Sequence, residues 1–117
     1  MKKKLLMLLM LLMVVSPVVF GRQPDTNDRC AKWTGPYGGG VYYRYVQSYL
    51  GEDQWSKDYD CFQFKNENSY KVEILYYTKI GVSKRGPYSQ NVEANTVDDL
   101  IALAPGERLS SIEVRRL

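Results

Sequence analysis

From Tyr70 to Ile80 the side chains alternate with a period of two. Tyr70, Val72, Ile74, Tyr76, Thr78 and Ile80 share one side, and Lys71, Glu73, Leu75, Tyr77 and Lys79 the other. This pattern, rich in β-branched and aromatic residues, predicts a strand. Val41 to Leu50 reads the same way. Val41, Tyr43, Tyr45, Gln47 and Tyr49 share one face, and Tyr42, Arg44, Val46, Ser48 and Leu50 the other. Further strands are predicted over Tyr59–Lys65, Tyr88–Ala94 and Arg108–Arg115. Gly35 to Gly40, Gly81 and Lys84-Arg85-Gly86-Pro87 read as turns, and Asn66-Glu67-Asn68-Ser69 as a hairpin-like one. Val97, Leu100, Ile101 and Ala104 sit at helical spacing, after a Thr96 N-cap and before a Pro105-Gly106 stop, which predicts a short helix. A strand over Leu100–Leu103 is the other reading. The fold class expected is mainly β: an antiparallel sheet, or a small or partial barrel, with room for one short C-terminal helix.

The N-terminus carries Lys2, Lys3 and Lys4, an apolar run from Leu5 to Val15, a Ser16-Pro17 break and Val19-Phe20-Gly21 before Arg22. This is the layout of a signal peptide. The run is too short to cross a ~30 Å hydrocarbon core. The expected organisation is a signal peptide over 1–21, a loose polar leader over 22–29 and a single β domain over 30–117, secreted and without stable membrane insertion. Of 16 basic residues, three lie in the signal, so 13 remain against 13 acidic ones. A chain near neutrality lacks the electrostatic footprint of a nucleic-acid binder. Cys30 and Cys61 are the two cysteines, and in an oxidising compartment they are expected to pair with one another.

The sequence contains no histidine, which removes the Ser-His-Asp and Cys-His arrangements and the commonest transition-metal ligand. Asp58 and Asp60 lie close enough in sequence to suggest a carboxylate pair, but they read more simply as a solvated loop leading into a strand. No phosphate-binding or dinucleotide fingerprint occurs. No enzyme, cofactor or metal site is expected. Aromatic rings stand out instead, with ten tyrosines, two tryptophans and three phenylalanines. Tyrosine joins an apolar body to a hydroxyl and suits a pocket for an amphipathic ligand.

Cys30, Tyr37, Gly40-Val41-Tyr42-Tyr43 and Cys61-Phe62-Gln63-Phe64 together resemble the N-terminal part of a secreted arthropod-type lipocalin. The resemblance implies a β-barrel that carries a small hydrophobic ligand. Tyr42 would plug the closed end, and Tyr45, Phe64 and Tyr76 would line the cavity. Shorter than an eight-stranded lipocalin, the chain would supply barely half a barrel, as a truncated member or as a shorter sheet covering its open edge as a homodimer. Gly35-Pro36-Tyr37-Gly38-Gly39-Gly40 and the strand–Pro105-Gly106-Glu107–strand turn are similar to jacalin-type β-prism lectins. That resemblance implies a glycan as the alternative ligand, bound near the Gly38–Gly40 backbone. A protein-interaction module is the third reading.

Overall fold

A computed structural model describes residues 28–117. The predicted signal peptide lies outside the described residues. Eleven strands follow in order: β1 (Arg29–Cys30), β2 (Thr34–Tyr37), β3 (Val41–Gln47), β4 (Tyr49–Gly51), β5 (Gln54–Trp55), β6 (Cys61–Asn66), β7 (Val72–Ile80), β8 (Ser83–Val92), β9 (Thr96–Val97), β10 (Ile101–Ala102) and β11 (Glu107–Arg116). Every pairing is antiparallel. One sheet runs β1-β3-β6-β10, with β2 on β3 and β9 on β6. A second runs β11-β7-β8, and β4-β5 is a small separate ribbon. The chain is mainly β, a partial barrel of two sheets sharing one core.

The period of two decides which residues meet. Along β7, Val72, Ile74, Tyr76 and Thr78 are buried while the intervening residues are at least partly exposed. They face Phe62 and Phe64 of β6, Val41 of β3 and Ile101 of β10 in a single apolar cluster. The rings of Phe62, Phe64 and Tyr76 pack pairwise with centroids 5.4–5.5 Å apart. A smaller cluster of Val46, Cys61 and Leu100 lies on the opposite face of the larger sheet.

Asn66 marks the change of sheet. It is fully buried, and its Nδ2 faces the carbonyls of Tyr70 (2.8 Å), Val92 and Glu93 (both 3.2 Å). Its Oδ1 accepts the Asn68 N–H at 2.9 Å. The predicted hairpin at Asn66–Ser69 is therefore a corner, carrying the chain from β6 in one sheet to β7 in the other.

Four sequence expectations change. The segment with helical spacing forms β9 and β10, because Val97 pairs with Lys65 and Ile101 with Phe62. Backbone bonds to β6 replace those of a helix, in keeping with the strand reading of Leu100–Leu103. Lys84 to Pro87 lies within β8, and the turn is Gly81-Val82. Asp28 and Arg29, assigned to the leader, belong to the fold. Asp28 Oδ1 accepts the Tyr49 N–H at 2.9 Å, and Arg29 pairs with Gln47. Finally, Cys30 and Cys61 are not joined. Both stand opposite Val46, one on each side of β3. Two strand spacings separate their Cα atoms by about 10 Å, beyond the roughly 7 Å limit for a disulfide.

Candidate functional site

Of the four residues predicted as the ligand site, Tyr45, Phe64 and Tyr76 meet in one apolar cluster and Tyr42 does not. Phe64 and Tyr76 fill the core, with exposures of 0% and 1%. Tyr45 is half-buried at the margin of that core. Tyr42 points to the other face of the sheet, where the Lys65 ammonium lies 4.8 Å from its ring centroid. Residues three apart on a strand cannot share a face, so Tyr42 and Tyr45 were separable from their spacing alone. On that outer face the Arg44 guanidinium and the Lys65 ammonium lie over Trp33, at 4.2 and 4.5 Å.

A different set of rings also comes together. Tyr37, Tyr43, Tyr45 and Tyr59 form a continuous row, with successive centroids 6.0, 5.6 and 6.0 Å apart. Tyr43 and Tyr45 are i, i+2 neighbours on β3. Tyr37 joins through the β2–β3 turn, where it pairs with Val41. Tyr59 arrives as the chain returns toward β6, anchored by the Asp60 N–H donating to the Val46 carbonyl. The row borders β11, whose Leu109 N–H donates to Tyr45 Oη at 3.0 Å. Gly38 lets the β2–β3 turn approach β11 closely. Its φ is +50°, and a Cβ there would collide with the Val114 side chain.

Two clefts open at the ends of this row. Beside Tyr59, a half-open cleft of about 270 Å³ lies between residues 56–60 and the Leu103–Gly106 turn. Tyr59, Leu103, Ala104 and Pro105 give it apolar walls, and the Leu103 N–H bonds to the Asp60 carbonyl between its two sides. At the other end, a cleft of about 100 Å³ is lined by Tyr37, Tyr43 and Leu109–Ile112. A register shift between Leu109 and Ser111 places a bulge in that stretch of β11. Burial, and then the neighbouring Tyr45 and Tyr37, push the Tyr43 hydroxyl above the ordinary phenol range. It stays neutral and can both donate and accept.

The other chemistry singled out in the sequence is dispersed. Asp60 Oδ1 accepts the Ser48 N–H at 3.0 Å, while Asp58 is exposed. Gly38 O accepts from Asn68 Nδ2, and Gly40 O from the Glu67 N–H, so these two carbonyls of the glycine turn clasp the Asn66 corner. Among the described residues, no group of three or more His, Cys, Asp and Glu side chains is arranged to hold a metal. The hydroxyl of Tyr76 is buried without a hydrogen-bond partner. Desolvation first, and then Tyr88, Glu107 and Asp98, hold it far above its usual pKa. The tyrosine row went unread because Tyr37 lies in a segment predicted as a turn, and Tyr59, expected to open a strand, lies in the loop before β6. The signal available was the i, i+2 pair Tyr43 and Tyr45. No family model, curated protein or solved structure matches the chain.

Proposed function

We propose that this protein is a secreted, non-enzymatic binding module that holds a small amphipathic, largely hydrophobic ligand along the tyrosine row. The observation that carries this reading is the unbroken sequence Tyr37–Tyr43–Tyr45–Tyr59 with a cleft at each end. The ligand site lies on the margin of the partial barrel, since Phe62, Phe64 and Tyr76 occupy the interior. Tyrosine rings supply rigid apolar area, and their hydroxyls orient the bound molecule at low entropic cost. The larger cleft, near 270 Å³, is just under the usual ligand-pocket range of roughly 300–1,000 Å³. It fits one ring or a short aliphatic group, with the remainder of the ligand lying over the row.

The test is native mass spectrometry of the protein secreted by a eukaryotic host, followed by titration with 1-anilinonaphthalene-8-sulfonate. A co-purified species of a few hundred daltons, or a saturable fluorescence rise lost in Tyr59→Ala and Tyr43→Ala, is the expected outcome. A clean apo chain whose probe response is unaffected by both substitutions would refute the site. A glycan is the second reading, favoured by the hydroxyls of the row and by Ser110 and Ser111 in the smaller cleft. Glycan-array binding lost in Tyr43→Ala, with no response to the apolar probe, would select it.

A further inference from the structure

The β7–β8 hairpin ends in an unusual concentration of charge. Lys84 stands directly opposite Lys79, and Lys79 directly opposite Arg108, so three cations form one row across β8, β7 and β11. Arg85 follows Lys84 in sequence but faces the other side of β8, opposite Thr78, with its guanidinium 3.9 Å from the Glu107 carboxylate. Like charges directly opposite one another destabilise a sheet, so folding stability does not account for the row. Its nearest neighbour on the same face is Tyr77, with the Lys84 ammonium 4.3 Å from its ring centroid. The first carboxylate on that face is Glu113, opposite Leu75. It lies four residues further along the strand, about 13 Å and beyond a physiological Debye length of roughly 8 Å. Among the described residues, neither Lys79 nor Lys84 takes part in an ion pair.

Beyond the row comes the turn, and at its apex stands Val82, 97% exposed and the most exposed large hydrophobic residue described. Two residue rises separate Val82 from the Lys84 row, about 7 Å along the hairpin axis. The order is therefore an apolar apex, a gap of about 7 Å and a belt of cations. An interfacial element in a bilayer has the same profile, with apolar groups 5–10 Å into the headgroup boundary and basic groups at phosphate depth.

We propose that the β7–β8 hairpin docks the protein on an anionic lipid surface, inserting Val82 while Lys79 and Lys84 contact the headgroups. A soluble polyanion would use the cations but gain nothing from Val82. A chain near neutrality overall binds weakly and reversibly by this route, the charge being local rather than global. The tyrosine row meets the smaller sheet at β11, where the Arg108 guanidinium lies 5.7 Å from the Tyr45 ring centroid. Lys79 and Lys84 lie on β7 and β8, so substituting them tests docking apart from ligand binding.

The experiment is flotation of the whole chain with vesicles of 70% phosphatidylcholine and 30% phosphatidylserine, against pure phosphatidylcholine, with heparin–agarose in parallel. Binding is expected only to the anionic vesicles and is expected to fall at 0.5 M NaCl. Each lysine contributes about fivefold in partitioning, so Lys79→Gln/Lys84→Gln together should reduce it about 25-fold. Val82→Asp should reduce it at least about tenfold by removing the inserted group. All three substitutions are at exposed positions, and circular dichroism confirms that the fold is retained. Equal partitioning of wild type and Val82→Asp, or heparin retention without vesicle binding, would overturn the proposal, the latter in favour of a sulfated polysaccharide.

Discussion

Replacing Asn66 with alanine is the most direct test of how the two sheets are joined. The side chain is fully buried, and its amide serves the carbonyls of Tyr70, Val92 and Glu93 while accepting from the Asn68 N–H. An amide has two N–H bonds, so two donated bonds and one accepted bond are in place at any moment. Each is worth about 1 kcal/mol net, and leaving a buried polar group unsatisfied costs 1–3 kcal/mol. Asn66→Ala should therefore destabilise by about 3–5 kcal/mol, a large part of the roughly 5–15 kcal/mol that holds a small domain. With an m-value of about 1.5 kcal/mol/M, the urea midpoint should fall by about 2–3 M with m unchanged. Asn66→Asp should be at least as damaging, because a carboxylate would face three carbonyl oxygens. The control is the adjacent Glu67, whose side chain is 54% exposed in its pair with Lys65. Glu67→Ala should shift stability by less than about 1 kcal/mol. If Asn66→Ala costs under about 1 kcal/mol, the corner is held by packing and the hydrogen-bond argument fails.

Three further outcomes follow from individual side chains. Tyr45→Phe should lose about 1 kcal/mol, because the Leu109 N–H loses its acceptor. Tyr76→Phe should be neutral or stabilising, since that hydroxyl is buried without a partner; equal losses in the two variants would contradict the assignment. Iodoacetamide should alkylate Cys30 in the native protein and Cys61 only after denaturation, as their exposure requires; a native chain 2 Da lighter and resistant at both positions would show the β1–β3–β6 register to be wrong. Half-buried Asp98 has its pKa raised, chiefly by desolvation, so its folded state favours the protonated form. Its contribution to stability is present below the unfolded pKa and is lost as pH rises through the folded one. Asp98→Asn should therefore flatten the stability curve on the alkaline side of the ordinary aspartate pKa while retaining an acceptor for Gln90. A steeper curve would refute that sign.

Much of the fold was legible along the chain because burial in a sheet repeats every two residues. The Tyr70–Ile80 alternation separated the two faces of β7, one of which enters the core, and the strands near 41–47, 61–66 and 107–116 appear close to their predicted bounds. The errors arose where partners lie far away in sequence. Segment 97–104 has helical spacing, yet β6 offers it a ladder through Lys65 and Phe62, and tertiary pairing outweighs a weak local preference. Asn66 looked like a turn residue because its bonds to Val92 and Glu93 span more than twenty positions. The expected disulfide followed from compartment and count, which carry no information on the two strand spacings between Cys30 and Cys61.

What the sequence determined by itself was therefore local: the β class, the faces of the longest strands, and the exclusion of histidine-based chemistry. Even the cation row had its residues in plain view, but Lys79, Lys84 and Arg108 become one feature only when β7, β8 and β11 lie side by side in register. The tyrosine row is the same case. Its members are spread from position 37 to position 59 across a strand pair and a loop, and the packing of β11 and of the Leu103–Gly106 turn against them leaves one cleft each. Periodicity reports which way a side chain points relative to its own backbone. Which distant groups it then meets depends on strand order and register, and these are set by the packing of the two sheets.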